Sequence, residues 1–136
     1  MKKPLQGKRI FVVEDNVENR VVYQIFFTHE CAVFEFERWG GQTIVQMKRF
    51  KPIDLIILDL MLPRGITGYS LFDQIRAQPE FAAVPIVAIS AADPSVAIPK
   101  VREKGFAGFI AKPIDGTRFT EQLSRILAGE SLWVES

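Results

Sequence analysis

Short runs of consecutive apolar residues recur along the chain and predict the strands of a buried sheet. The runs Ile10 to Val13 and Leu55 to Leu58 are apolar at every position. Such runs have the length of strands and are too short for core helices. Apolar residues on both faces of a strand are typical of parallel sheets with helices on each side. Two further runs of this kind cover 85–89 and 106–111.

One strand candidate has a different pattern. In Ala32 to Phe36, Glu35 and the following Glu37 alternate with aromatic residues. Alternation with period two is typical of a strand that is exposed on one face. We therefore expect this segment to be an edge strand.

Apolar residues at helical spacing fill the intervals between the strands. The first such segment follows Asp15-Asn16, either of which can cap a helix, and repeats Val17, Val21 and Ile25 along one face. In the fourth segment, a helix beginning near Pro99 is expected, because proline is favoured in the first helical turn. Five strands alternating with five helices predict an α/β domain with helices on both sheet faces.

The chain has 136 residues, which is the size of one ordinary domain. We expect a single domain over 1–136, with its core over about 8–128 and a short tail over 129–136. Leu132 and Trp133 stand out in that tail. They either pack on the last helix or remain exposed as a contact point or linker stub.

Charge and cysteine content exclude several functions. The net charge of +1 provides no field for binding nucleic acid or an anionic membrane. No apolar stretch approaches the roughly 20 residues of a membrane span. The single cysteine, Cys31, rules out an internal disulfide and favours a reducing compartment. These observations predict a cytoplasmic protein.

Polar residues that could bind ligands or take part in catalysis follow the predicted strands. In the doubly wound order 2-1-3-4-5, strands 1 and 3 are neighbours, and ligands bind beyond the carboxyl ends of the strands. Three carboxylates, those of Glu14, Asp15 and Asp59, would then share one crevice. Oxygen ligands in a cluster suit a hard cation such as Mg²⁺ or Mn²⁺.

The ends of the fourth and fifth strands complete this crevice. Ser90 offers a hydroxyl, and Lys112 offers a compact positive charge suited to a phosphate oxygen. A cation site, a lysine and a hydroxyl around a carboxylate favour phosphoryl transfer, with Asp59 as the nucleophile. Each residue alone has a plainer explanation as a cap, a turn residue or a solvated surface residue. Their joint occurrence at strand ends favours a site.

The motifs around these residues resemble those of response-regulator receiver domains. They are Val12-Val13-Glu14-Asp15-Asn16, Leu58-Asp59, Ile89-Ser90-Ala91 and Ala111-Lys112-Pro113. The resemblance covers roughly residues 8 to 128. It implies a flavodoxin-like (βα)5 three-layer sandwich with the parallel sheet order 2-1-3-4-5. It also implies two-component phosphorelay signalling by a phosphoprotein that resembles the single-domain chemotaxis regulators, not a conventional enzyme.

The resemblance assigns roles at the phosphoacceptor. Asp59 would accept a phosphoryl group from a histidine kinase or a histidine phosphotransfer protein and form an aspartyl phosphate. Mg²⁺ would bind Glu14, Asp15, Asp59 and the backbone carbonyl of Met61. The domain would support its own magnesium-dependent phosphotransfer and dephosphorylation. Met61 and Ala92 would flank the attacking water, and since neither can orient it, we expect slow dephosphorylation.

Other roles concern the switch and its output. Lys112 would pair with the phosphoryl group, Ser90 would move to hydrogen-bond it, and Phe109 would be the aromatic residue that turns inward with Ser90. The Lys112-Pro113 bond is expected to be cis. The output face would comprise strands 4 and 5 with the last two helices. A homodimer through the helix 4, strand 5 and helix 5 face is a further expectation, which Pro99 complicates.

Several alternatives remain open at this stage. A pseudo-receiver would bind proteins without taking phosphate, although the acidic pair, Asp59 and Lys112 are all intact. A haloacid-dehalogenase-like phosphatase needs a second Asp where Met61 stands, and a flavodoxin's phosphate would be repelled by Glu14-Asp15. The interval from Asp59 to Gly68 is about one residue longer than is common in receivers. A downstream protein target is a further expected partner.

Overall fold

A computed structural model describes residues 2–136, in which six strands and five α-helices alternate. Two short 3₁₀ turns, Pro63–Gly65 and Pro79–Phe81, follow the third strand and the third helix. The strands are β1 (Arg9–Val13), β2 (Val33–Glu37), β3 (Leu55–Leu58), β4 (Ile86–Ser90), β5 (Gly108–Ala111) and β6 (Leu132–Val134). The helices are α1 (Val17–His29), α2 (Thr43–Phe50), α3 (Gly68–Arg76), α4 (Pro94–Lys104) and α5 (Phe119–Leu127).

All six strands are parallel and lie in the order β2-β1-β3-β4-β5-β6. The predicted order 2-1-3-4-5 is therefore confirmed, and one strand is added beyond it. Strands β3 and β4 lie in the middle of the sheet. All their residues are buried, and all are apolar except Ser90 at the end of β4. Burial on both faces is what their continuous apolar sequences predicted.

Two hydrophobic clusters fill the spaces between the sheet and the helices. One contains side chains from α2, α3 and α4, among them Met47, Leu71 and Val101. The other contains side chains from α1 and α5, among them Tyr23 and Leu123. The protein is thus a three-layer α/β/α sandwich. No helix among residues 2–136 is long and apolar enough to cross a membrane.

The alternating segment forms an edge strand, as predicted, but one position later than expected, over Val33–Glu37. Its first four residues are exposed or half-buried. Glu37 is the exception, because its side chain is buried.

The expectation that the fourth helix begins near Pro99 is wrong. Helix α4 begins at Pro94, and the carboxylate of Asp93 caps it by accepting a hydrogen bond from the Ser95 amide at 3.0 Å. Pro94 occupies the first helical position, where its missing N–H has no consequence. Pro99 lies inside the helix and leaves the carbonyl of Ser95 without its usual donor. Ser95 is exposed, so water can satisfy that carbonyl.

The tail is neither packed on α5 alone nor exposed. Residues Leu132–Val134 pair with β5 as the sixth strand. Leu132 and Val134 pack against the cluster beneath α1 and α5, whereas Trp133 packs against the cluster on the opposite face. Three residues are too few for a periodic pattern to distinguish a strand from an irregular tail.

Candidate functional site

The carboxyl ends of four neighbouring strands bring the predicted residues together. Glu14 follows β1, Asp59 follows β3, Ser90 ends β4 and Lys112 follows β5. Carboxylate oxygens of Glu14, Asp15 and Asp59 lie within 4.8 Å of one another. Parallel strands end at one edge of the sheet, which explains how residues distant in sequence converge.

The carboxylate of Asp59 accepts three hydrogen bonds, and the residue is only 6% exposed. The hydroxyl of Ser90 and the amide of Met61 donate hydrogen bonds to its Oδ1, at 3.0 Å and 3.1 Å. The ammonium group of Lys112 donates to Oδ2 at 2.8 Å. These contacts fix the carboxylate in one orientation. The hydroxyl of Ser90 thus contacts the Asp59 carboxylate directly.

Lys112 lies between two carboxylates. Its Nζ is 2.7 Å from Oε1 of Glu14 and 2.8 Å from Oδ2 of Asp59. Burial alone would lower the pKa of this lysine, but the hydrogen bonds to Asp59 and Glu14 raise it above its ordinary value. The side chain of Lys112 therefore carries a positive charge at neutral pH. Its peptide bond to Pro113 is cis, as predicted, and so is the Lys51-Pro52 bond.

Glu14 is buried, and this raises the pKa of its carboxyl group above the ordinary value. The Lys112 ammonium opposes that shift, and the negative charge of Asp59 adds to it. Three carboxylates facing one ammonium leave an excess of two negative charges at the cluster. An all-oxygen donor set with this charge fits a hard divalent cation such as Mg²⁺.

Arg20 was not predicted to belong to the site. Its Nη1 donates hydrogen bonds to the backbone carbonyls of Glu14 and Asp15, at 3.0 Å and 2.7 Å. These bonds hold the loop between β1 and α1 that carries the acidic pair. A sequence signal for this role exists, because Arg20 lies one helical turn beyond the cap residue Asn16 and can fold back onto the loop.

Glu37 organises a neighbouring loop. Its buried carboxylate accepts hydrogen bonds from the amides of Trp39 and Gly40 and from the hydroxyl of Thr43. Beyond it, the Arg64 guanidinium lies 4.4 Å from the Trp39 ring centroid, which joins the β2–α2 loop to the β3–α3 loop. The Glu37 bonds are local to the segment that follows β2. The contact between Arg64 and Trp39 had no sequence signal, since it depends on two loops that meet only in the folded chain.

The remaining predicted residues lie around Asp59 and along β5. The side chain of Met61 is 55% exposed, whereas Ala92 is half-buried. The amide of Ala92 donates to the hydroxyl of Ser90 at 3.2 Å. Phe109 is fully buried within the cluster beneath α4. No ionisable or polar side chain stands at position 61 or 92 to hold a water molecule.

A family model described as the response regulator receiver domain matches residues 10–124. The chain belongs to this family. It is therefore a receiver domain of two-component phosphorelay signalling and not a conventional enzyme. The phosphatase and flavodoxin alternatives are thereby discarded, and the pseudo-receiver alternative is not favoured.

Relatives include both short regulators and long kinases. The receiver is 26% identical over 121 residues to the polar-differentiation response regulator DivK of Brucella ovis, covering 88% of this chain and 96% of DivK. It is 33% identical over 129 residues to the peroxide stress-activated histidine kinase mak1 of Schizosaccharomyces pombe, which covers 90% of this chain. The matched part is only 8% of that kinase's length.

A solved structure supports the same assignment. The receiver domain of the sensor histidine kinase PA1611 from Pseudomonas aeruginosa is 28% identical, with a TM-score of 0.78. The superposition covers 90% of this chain and 98% of that domain, which was solved with a magnesium ion coordinated in its active-site cleft. In the present receiver, the Glu14, Asp15 and Asp59 cluster provides the acidic pocket.

Proposed function

We propose that Asp59 accepts a phosphoryl group from a phosphohistidine of a histidine kinase or a histidine phosphotransfer protein. The observation that carries this proposal is the environment of its carboxylate. Asp59 is buried, receives hydrogen bonds from Ser90 and Lys112, and lies within a cluster of three carboxylates. Such a carboxylate is rigid, close to fixed cationic charge, and placed where parallel sheets bind their ligands.

In the transfer, an oxygen of Asp59 attacks phosphorus and forms a new P–O bond. The P–N bond of the phosphohistidine breaks, and its electron pair returns to the imidazole, which then takes up a proton from solvent. Lys112 offsets the charge of the phosphoryl oxygens, as a compact ammonium group does in other phosphoryl-transfer sites. Ser90 donates its hydroxyl hydrogen to the group that Asp59 carries.

The side chains of Glu14, Asp15 and Asp59 and the backbone carbonyl of Met61 would hold Mg²⁺, and Mn²⁺ suits the same ligands. When bound, the cation supplies charge neutralisation during transfer. The slow hydrolysis that returns Asp59 to the free carboxylate belongs to the same site. The proposed compartment is the cytoplasm, which the exposed thiol of Cys31 supports.

Signalling would follow from a change in populations of two conformations. A phosphoryl group on Asp59 would strengthen the contacts of Ser90 and Lys112, and Phe109 would stay turned inward. A downstream protein would recognise the surface that includes α4 and α5. Nucleic acid and membranes are not proposed as partners, because the net charge is only +1.

Incubation with acetyl phosphate and Mg²⁺ followed by intact-mass measurement tests the proposal. We expect the mass to increase by one phosphate, and we expect no increase for Asp59→Asn or after chelation of the metal. Asp54→Asn is a matched control, since Asp54 lies at the opposite end of β3, where its carboxylate accepts from the Arg9 amide at 2.8 Å. A wild-type chain that gains no phosphate would support the pseudo-receiver instead.

A further inference from the structure

Strand β6 closes the edge of the sheet beside β5. Leu132, Trp133 and Val134 pair in parallel register with Gly108, Phe109 and Ile110. With β6 in place, β5 is an interior strand and its backbone groups face a strand on each side. Any movement of residues on β5 must therefore be accommodated by β6.

The close approach of β6 depends on Gly108. A Cβ atom at this position would lie 2.7 Å from the backbone carbonyl oxygen of Leu132 and 3.2 Å from Cδ1 of Ile126. Any other residue would push β6 away from β5, because a backbone oxygen cannot rotate aside as a side chain can. The lack of a side chain at Gly108 is therefore what allows β6 to pair with β5 at this distance.

Contacts with both flanking helices hold β6 in place. The guanidinium of Arg102, on α4, lies 5.1 Å from the ring centroid of Trp133. On the other side, Arg125 of α5 forms an ion pair with Glu130, which precedes the strand, at 3.0 Å. The tail is anchored at three elements, whereas exposed tails make few such contacts.

Trp133 is the register partner of Phe109, and both side chains belong to the hydrophobic cluster beneath α4. Phe109 is fully buried, and Ser90, on the adjacent strand β4, already donates to Asp59 at 3.0 Å. These are the positions that the proposed function assigns to the phosphorylated form. The structure therefore combines a docked β6 with a switch that is already turned inward.

We propose that Trp133 is a positioning residue, which holds Phe109 inward and thereby keeps Ser90 against Asp59. This inference rests on the proposed function. If Trp133 has this role, docking of β6 favours phosphorylation of Asp59, and phosphorylation of Asp59 favours docking of β6. Coupling between two sites is reciprocal, so phosphorylation must stabilise β6 by the same factor by which β6 favours phosphorylation.

Hydrogen exchange measured by mass spectrometry on the full chain tests the coupling without any substitution. Peptides that cover residues 129–136 are compared before and after phosphorylation with acetyl phosphate and Mg²⁺. We expect exchange in β6 to slow about fivefold or more, the lower end of typical coupling factors. Asp59→Asn treated in the same way should show no change.

Substitutions in and beside β6 test the other direction of the effect through the rate of phosphorylation, which should fall when the conformation with Ser90 against Asp59 is less populated. Trp133→Ala should slow phosphorylation by acetyl phosphate about fivefold, and Trp133→Phe should restore most of the rate because an aromatic ring still covers the edge. Gly108→Ala should slow it similarly by displacing β6 while Trp133 is retained. Val33→Ala, on the opposite edge strand, removes an equally peripheral side chain and should leave the rate unchanged.

The outcomes separate this inference from the proposed function. A phosphate gain on Asp59 with unchanged or faster exchange in β6 overturns the coupling alone. A chain that gains no phosphate overturns the proposed function and the coupling together. Equal rates for the wild-type chain, Trp133→Ala and Gly108→Ala would also overturn the coupling, whatever those substitutions do to stability.

Discussion

At the level of single residues, we expect Met61 and Ala92 to determine how fast a phosphoryl group on Asp59 would be lost. Met61 and Ala92 occupy the positions that would flank an attacking water, and neither carries a group that can orient one. Of the two, Met61 is well exposed, so its replacement leaves the core intact. We therefore expect the lifetime of the phosphorylated form to depend on the residue at position 61.

We expect the wild-type aspartyl phosphate to last for minutes or longer. Met61→Gln should shorten its half-life at least about tenfold, because a positioned donor or base contributes about 10²–10⁴-fold to such reactions. The measurement is intact-mass decay after acetyl phosphate is removed. Met61→Leu is the matched control and should decay like the wild type. Loss of the wild-type phosphate within seconds would contradict the argument.

Tyr23 carries a buried hydroxyl group that affects stability. Its side chain is fully buried, and its hydroxyl has no hydrogen-bond partner among the residues that the structure describes. Burial raises the pKa of this phenol well above its ordinary value, and the charges of Glu14 and Asp59 raise it further. An unsatisfied buried hydroxyl destabilises the folded state.

Tyr23→Phe should raise the free energy of unfolding by about 1 kcal/mol at neutral pH, as measured by urea denaturation. The folded chain keeps the phenol proton that the unfolded chain releases near pH 10, so stability falls as pH rises beyond about 10. Tyr23→Phe should weaken that fall. Tyr69→Phe, at a half-buried position, serves as the control and should give no gain at neutral pH. A loss of stability in Tyr23→Phe would show that the hydroxyl has a partner.

At the level of elements, the start of α3 lies against the backbone of Asp59 and Leu60. Thr67 caps this helix by accepting from the Ser70 amide at 3.1 Å, and the Gly68 amide donates to the carbonyl of Leu60. A Cβ on Gly68 would lie 2.5 Å from the backbone oxygen of Asp59. The helix therefore packs directly against the segment that carries Asp59.

Gly68→Ala should lower the free energy of unfolding by about 1–3 kcal/mol, as overpacking does in well-packed cores. It should also reduce the rate of phosphorylation by acetyl phosphate, since Asp59 is displaced. Gly116→Ala is a suitable control, because its nearest neighbour is the ring of Phe26, a side chain that can shift. Similar effects of both substitutions on stability and rate would show that the backbone contact at Gly68 has no special role.

The elements that sequence predicted correctly share a clear local signal. Apart from Arg9 at the start of β1 and Ser90 at the end of β4, strands β1, β3 and β4 are continuous apolar runs, and the burial of these runs on both faces follows from that pattern. The start of α4 was predicted wrongly because two prolines, Pro94 and Pro99, each fit a first turn. The capping carboxylate of Asp93 decides for Pro94.

Over the whole molecule, strand order was the decisive inference for the site. Once β1 and β3 are neighbours, Glu14 and Asp59 must meet at one edge, and the structure places them there. The contact of Arg64 with Trp39 adds geometry that no sequence pattern encodes. It depends on how the loops after two different strands approach each other, which is a property of the packed chain.

The sheet has two edges, and both are poorly suited to pairing with a second chain. β6 has only three residues, and short edge strands limit intermolecular pairing. β2, at the other edge, carries the charged residue Glu35 between Phe34 and Phe36. The homodimer expected through the helix 4, strand 5 and helix 5 face would meet β6, because β6 covers the edge of β5.

We therefore expect the chain to remain a monomer of 15.4 kDa both before and after phosphorylation, as measured by light scattering coupled to size-exclusion chromatography. Gly108→Ala provides the comparison, because displacing β6 would uncover the edge of β5. If the phosphorylated wild-type chain elutes with twice the monomer mass, then β6 is part of a dimer interface and does not block one. Dimerisation of Gly108→Ala alone would instead identify the covered edge as the surface that β6 protects.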